Sequence, residues 1–179
     1  MKIAVIGYSG AGKSTLAKRL ALQFNLPLLY LDTVHFKPHW TERDDDESCE
    51  VIGEWMDQHA EWVIDGNYSG LLQERRYEES DYIVFLDFPV RICLKRVKQR
   101  FKEYEGRSRE SVTMGCEEKL DDEFIDWVKH GGRTKYKAAE YDRTEKRYGS
   151  KFVRCKTDAD VDNFVNNLDK IISMKESVK

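Results

Sequence analysis

The chain has 179 residues, 40% of them hydrophobic and 35% charged, which suits one domain with a buried core and excludes a collagen, a coiled coil and wholesale disorder. Lys plus Arg number 30 against 33 Asp plus Glu, a net charge of -3. The chain as a whole is therefore no polyanion-coating protein, and a nucleic-acid role would require a local basic patch.

Short apolar runs alternate with longer amphipathic stretches, the pattern of βαβ units around a parallel sheet. The spacing predicts a strand at Lys2 to Ile6, a helix from Lys13 to Phe24, a strand at Leu28 to Leu31, a helix from Glu42 to Ala60 and a strand at Trp62 to Asp65. A fourth strand at Tyr82 to Asp87 precedes a helix from Pro89 to Lys102, whose proline suits a first turn. Helices from Glu117 to His130 and from Arg133 to Tyr148, a fifth strand at Lys151 to Cys155 and a helix from Asp158 to Met174 complete the series. Leu120, Phe124, Trp127 and Val128 fall on one face of their helix, which Gly131-Gly132 then breaks or bends. Lys175 to Lys179 are expected to fray.

No apolar run approaches the roughly 20 residues needed to cross a bilayer, and no membrane association is expected. The opening MKIAVIGYSG runs from an apolar stretch directly into a glycine loop. It reads as a buried strand and not as a signal peptide, so the cytoplasm is the expected compartment. Cys49, Cys93, Cys116 and Cys155 form no CxxC pair and have no zinc-ligand spacing, so free thiols are expected.

Charge is unevenly distributed. From Glu42 to Glu61 nine acidic residues face Arg43 alone, whereas from Arg91 to Arg109 eight basic residues face Glu103 and Glu105. The acidic block reads as a solvated helix face. From Arg133 to Arg154 eight basic residues meet three acidic ones.

Gly7-Tyr8-Ser9-Gly10-Ala11-Gly12-Lys13-Ser14 matches GxxxxGK[ST] between a predicted strand and a predicted helix, the context the motif requires. Its glycines allow backbone amides to point inward at phosphate oxygens, assisted by the positive end of the following helix. Gly7, Ser9, Gly10, Ala11, Gly12, Lys13, Ser14 and Thr15 form the expected nucleotide-binding set, with Thr15 the weaker candidate. Lys13 is expected to reach the β- and γ-phosphates and Ser14 to ligate Mg²⁺. Such a metal wants a carboxylate at the end of a neighbouring strand, and Asp65 and Asp87 are both so placed; either could instead cap the following turn.

These residues, together with Leu31-Asp32, Val63-Ile64-Asp65-Gly66-Asn67-Tyr68 and Leu86-Asp87-Phe88-Pro89 leading to Arg96 and Arg100, resemble the adenylate kinase-like group of P-loop kinases over most of the chain. Within that group they are similar to the small bacterial proteins known as DNA topology modulation proteins. The resemblance implies a three-layer α/β P-loop fold with a five-stranded parallel sheet of order 2-3-1-4-5 and ATP with Mg²⁺ as cofactors. It favours Asp65 over Asp87 at the metal. It also places Arg96 near the nucleotide and Arg100 on the phosphates, where guanidinium groups clamp spread negative charge.

One domain is expected over residues 1–179, with an acceptor-side insert at 32–60; the resemblance implies a mobile lid at 103–116, a stretch with almost no apolar residues that reads equally well as a plain solvated loop. Arg107, Arg109 and Arg133 are lid candidates for the transferred phosphate. The two arginines with which adenylate kinases hold their monophosphate acceptor are missing, since the chain reads Asp32-Thr33-Val34-His35-Phe36-Lys37-Pro38-His39-Trp40 and Asp65-Gly66-Asn67-Tyr68-Ser69 at those places. Lys37, Arg75 or Arg76 are the possible substitutes. Asp32, at the carboxyl edge of the sheet, is the candidate acceptor-side base. His35, Phe36, His39 and Trp40 either line an acceptor pocket or pack a loop, and Asn67 and Tyr68 either touch the acceptor or shape a turn. His35 and His39 have metal-ligand spacing, but Pro38 and the lack of a third ligand argue against a metal there.

The sequence expectation is an ATP-dependent phosphotransferase acting on an unidentified small molecule, with Lys13, Asp32, Arg96 and Arg100 as its catalytic set and Ser14 and Asp65 at the metal. Its alternatives are a nucleotide-dependent regulator that binds DNA and a simple ATPase switch.

Overall fold

The computed structural model describes residues 1–176; residues 177–179, the end of the segment expected to fray, lie outside the described residues. Five parallel strands, β1 (Lys2–Gly7), β2 (Leu28–Tyr30), β5 (Trp62–Asp65), β6 (Tyr82–Leu86) and β7 (Phe152–Cys155), make a sheet of order β2-β5-β1-β6-β7. This is the expected permutation, with the strand numbers displaced by a small antiparallel hairpin, β3 (Phe36–Lys37) with β4 (Thr41–Glu42), that the sequence pattern did not announce.

The central strands β1, β5 and β6 read as continuous apolar runs because both faces of the sheet are covered; Ile3, Val5, Val63, Ile64, Ile83, Val84 and Phe85 are fully buried. Each such side chain contributes about 1.5–3 kcal/mol on burial. Helix α1 (Lys13–Phe24) packs over β5 and buries Leu16, Ala17, Leu20 and Ala21 as one stripe. Asn25 in the left-handed region ends it.

Where elements differ from the sequence expectation, a local cause is visible. Leu31 leaves the second strand to open a short helix, α2 (Leu31–His35). Helix α3 (Asp45–Gln58) starts later than Glu42 because Asp44 caps it, its carboxylate accepting from Asp46 N at 2.9 Å and Glu47 N at 3.4 Å. Helix α4 (Gln73–Glu79) was not expected. It buries Arg76 and Tyr77, and a buried arginine does not register as part of an apolar stripe. Pro89 precedes α5 (Val90–Tyr104) as its cap, not in its first turn.

Helix α6 (Asp122–Lys129), capped by Asp121, is shorter than Glu117 to His130. Its Trp127 is 44% exposed, so the expected apolar face is only partly used. Helix α7 (Lys135–Tyr148) leads through a short 3₁₀ turn to β7, and α8 (Asp158–Glu176) closes the described chain. The four cysteines are free. No helix among the described residues is long and apolar enough to cross a membrane.

Candidate functional site

β1 ends at Gly7, and residues 8–12 turn back into α1. Gly7 has φ 148° and Gly10 φ 77°. A Cβ on Gly7 would lie 2.7 Å from the carbonyl oxygen of Leu86, and one on Gly10 would lie 2.6 Å from that of Cys93. Backbone conformation and space both demand glycine there. Gly12 caps α1 from the left-handed region with no side chain to accept from the first-turn amides, and that turn carries no acidic residue. The open amides and the positive helix end are thus left for an anion. Lys13 Nζ folds back over the loop to 3.4 Å from the carbonyl of Tyr8. Ser9 Oγ accepts from the Trp127 indole at 3.3 Å, and Thr15 is exposed on the first turn of α1.

Asn67 fastens this loop from behind. Its Oδ1 accepts from Gly7 N at 2.9 Å and its Nδ2 donates to Gly7 O at 2.8 Å, so one amide side chain extends the ladder at the end of β1. Gly66, just before it, needs φ 144°, and a Cβ there would come within 2.8 Å of the Leu31 side chain. Of the two readings left open for Asn67, turn and loop shaping is the one its bonds fulfil.

Ser14 and Asp65 meet at the mouth of the loop, where the Ser14 hydroxyl donates to Asp65 Oδ2 at 2.6 Å. The Asp65 carboxyl is buried, and its Oδ1 has no hydrogen-bond partner. Burial pushes its pKa from the ordinary 3.8 to about 6, opposed by the charge of Lys13 and the Ser14 hydrogen bond. A buried carboxylate with one free oxygen beside a serine hydroxyl is the hard-oxygen donor set that suits Mg²⁺. Asp87 is engaged differently: it accepts from Arg154 at 3.1 Å.

Arg96 and Arg100 of α5 face inward. Arg96 donates to the carbonyl of Ala11 at 2.7 Å and to Asp158 at 2.6 Å, with its guanidinium 4.4 Å over the Phe88 ring. Arg100 donates through Nε to Glu118 at 2.8 Å, and Arg109 holds the other oxygen of the same carboxylate at 2.5 Å. Glu118 is buried, and no local pattern marked it in the sequence. Of the other lid candidates, Arg107 donates to the carbonyl of Glu103, while Arg133 lies 3.8 Å over the Tyr8 ring and donates to Phe88 O at 2.9 Å.

The segment 103–116 docks on the loop carrying the β3–β4 hairpin. Gly115 O accepts from His39 N at 3.2 Å, Cys116 Sγ accepts from Trp40 N at 3.4 Å and donates to Lys37 O at 3.3 Å, and Thr113 bonds the carbonyls of Thr33 and Phe36. Ser111, Val112 and Cys116 are buried in this junction. The segment is thus held to that loop by hydrogen bonds and is not wholly solvated.

On the expected acceptor side, Asp32 Oδ1 accepts from the Tyr68 hydroxyl at 2.7 Å. The His35 ring lies 4.6 Å from that of Tyr68 and 4.7 Å from that of Phe36, which in turn meets Trp40 at 5.1 Å. Among the described residues no group of three His, Cys, Asp or Glu side chains is arranged to hold a metal. The three possible substitutes for the missing acceptor arginines do not line this space as free charges. Lys37 pairs with Glu47, Arg75 with Asp57 and Glu79, and Arg76 is buried on the carbonyls of Leu71, Gly66 and Tyr68 at 2.9, 3.2 and 2.6 Å.

A shikimate kinase of Rhodopseudomonas palustris is 30% identical over 115 residues, covering 55% of each protein, so the chain spans about half the length of that curated relative. Among solved structures, a shikimate kinase from Acinetobacter baumannii in complex with shikimate superposes with a TM-score of 0.56 at 19% identity, over 97% of this chain and 94% of the other. A deoxyadenosine kinase from M. mycoides with bound dATP does so with a TM-score of 0.56 at 15% identity, over 94% of this chain and all of the other. At these identities the likeness is one of fold, a P-loop kinase fold. The family model described as an AAA domain matches residues 3–126, more than half of the chain, and the chain belongs to that family.

Proposed function

We propose that this AAA domain family member is an ATP- and Mg²⁺-dependent phosphotransferase acting on a small-molecule acceptor. The observation that carries the reading is the juxtaposition of the open loop of 7–13 with Ser14 and the orphaned oxygen of Asp65. The loop amides, Gly10, Gly12 and Lys13 hold the phosphates, and Ser14 with Asp65 hold the metal. The bound ion supplies positive charge to the β- and γ-phosphate oxygens. Arg96, beside Ala11 and over Phe88, borders the nucleotide, while Arg100 and Arg109 neutralise charge on the phosphoryl group in transit.

Asp32 orients an acceptor hydroxyl and takes its proton as the oxygen attacks the γ-phosphorus and the bond to the β–γ bridging oxygen breaks, releasing ADP. Arg109 lies on segment 103–116, which acts as the lid; its release from the hairpin loop admits ligands and its return excludes water.

Calorimetry with Mg-ATP tests the nucleotide half of this reading. The natural chain is expected to bind it, and Lys13→Ala to lose about 100-fold in affinity, roughly 2.7 kcal/mol. Retention of full affinity by that variant, or no binding by the natural chain, overturns it.

A DNA-binding alternative is favoured by one observation. Arg91, Lys95, Lys98 and Lys102 are exposed along one face of α5, at i, i+4, i+7 and i+11, while Arg96 and Arg100 turn inward. Binding to duplex DNA that weakens steeply with salt would support it, and no binding near physiological salt removes it.

A further inference from the structure

We infer that the acceptor is a hydroxyl compound carrying no phosphate, carboxylate or other anionic group; the inference rests on the phosphotransferase reading and narrows its substrate. An anionic acceptor needs a guanidinium or ammonium group with its charge available. Among the described residues, Lys37, Arg43, Arg75 and Arg76 of the acceptor side are all engaged elsewhere. Lys37 Nζ lies 3.2 Å from Glu47, and Arg43 donates to Val34 O at 2.7 Å and to Glu47. Arg75 is paired with Asp57 and Glu79, and Arg76 is sealed beneath the loop of 66–72 on three backbone carbonyls.

The charge of Arg100 reaches Asp32, and the other groups around Asp32 are aromatic or acidic. The Tyr68 hydroxyl, bonded to Asp32, stays protonated because burial raises its pKa and the negative charges of Asp32, Asp65 and Glu42 raise it further. Tyr30, further along the same edge, feels Glu110 and Asp65 in the same sense, against Arg109 alone. Arg109 and Arg100 share the single carboxylate of Glu118. That trio carries one net positive charge, which the transferred phosphoryl group itself requires. Each of these carboxylates opposes an anion brought close to it in the partly buried site. A flat neutral or cationic molecule meets no such opposition, and the rings of His35, Phe36 and Tyr68 offer it apolar surface.

The transfer balances as acceptor hydroxyl plus ATP giving the phosphate ester, ADP and one proton. The new bond joins the acceptor oxygen to the γ-phosphorus, the β–γ bridging oxygen leaves with its electron pair, and the hydroxyl proton passes to Asp32.

The test uses the full chain with Mg-ATP labelled at the γ-phosphate and matched pairs of acceptors: nucleosides against their 5′-monophosphates, and neutral or amino sugars against the corresponding sugar acids. The expected result is labelled ester from a neutral or cationic member, with kcat/KM about 100-fold above its anionic counterpart. Equal or faster transfer to the anionic member overturns the inference, as does the absence of any transfer to uncharged or cationic members by protein that calorimetry shows to bind Mg-ATP. Failure to bind Mg-ATP at all strikes the phosphotransferase reading instead. As a second measurement, 5′-monophosphates titrated into protein loaded with Mg²⁺ and a non-hydrolysable ATP analogue should give no second binding event; micromolar binding overturns the inference.

Discussion

The two ends of the proposed site are made of different material. The phosphate end is mainly backbone: glycines with positive φ at 7, 10 and 12, a helix start without a side-chain cap, and one lysine folded over them. The acceptor end is built from side chains of α2, the hairpin, the loop of 66–72 and segment 103–116, held by contacts such as Tyr68 to Asp32 and Glu118 to Arg100 and Arg109. A backbone cradle constrains residues close in sequence, whereas a side-chain cradle is assembled from residues up to 80 positions apart, as Thr113 bonded to the carbonyl of Thr33 illustrates. Loss of a single side chain should consequently do different damage at the two ends.

The largest expected effect is Arg76→Ala. Arg76 has no carboxylate partner and donates to three carbonyls that fix the loop between Asp65 and α4. Burial lowers its pKa, and a charge kept there nonetheless indicates how much the loop depends on it. Truncation leaves those acceptors underprovided and opens a cavity, at a cost of about 3–5 kcal/mol, a large share of a typical domain's stability. Urea unfolding reads it as a fall in midpoint at constant slope. A change below 1 kcal/mol would mean that the acceptor loop holds itself without this cation.

Next in size is Asp65→Asn, which tests the junction of the two ends. Aspartate at 65 has its pKa raised from 3.8 to about 6, so the folded state binds the proton more tightly than the unfolded chain does. Its contribution to stability is therefore fullest below pH 3.8 and is lost as pH rises through about 6, by about 3 kcal/mol. Asparagine has no such loss. The stability of the variant relative to the natural chain should rise by about that amount between pH 4 and pH 7 in the absence of ligand, and denaturation at several pH values measures it. Mg-ATP should reverse the order at neutral pH, because only the carboxylate can serve the cation. A flat difference across pH would show Asp65 to be hydrated and not buried.

The same contrast explains what the chain revealed before its structure was known. Strand positions and the glycine loop with its following Lys13 and Ser14 were legible because each depends on local periodicity or on a fixed offset from a glycine, whereas the preference for Asp65 over Asp87 and the expectations for Arg96 and Arg100 rest on a family resemblance. The hairpin was not legible, since its two-residue strands are too short to show alternation. Helix α4 was hidden by the burial of Arg76, a residue that counts as polar in any pattern. Glu118 sits on no helix or named strand and is brought near Arg100 by its isolated bridge to Glu105 and its amide bond to Arg107 O. Trp127 belonged to an apolar stripe in the sequence but reaches Ser9 across the phosphate loop.

The smallest expected effect is the sharpest probe of where backbone ends and side chain begins. Asn67 is a side chain of the acceptor loop whose only two side-chain bonds among the described residues go to the backbone of Gly7. Asn67→Ala removes both, leaving the Gly7 amide and carbonyl without that partner at the strand end, for about 1–2 kcal/mol of stability and a loss of several-fold in Mg-ATP affinity. Asn67→Asp separates the two bonds: its carboxylate can still accept from Gly7 N but cannot donate to Gly7 O, and it adds negative charge near the phosphate cradle. If positioning through the amide is what matters, the aspartate variant should match alanine in Mg-ATP affinity or fall below it, while retaining more stability. An aspartate variant that binds Mg-ATP like the natural chain would show that the glycine loop holds its curvature unaided, and the fastening from the acceptor side would then be a feature of packing alone.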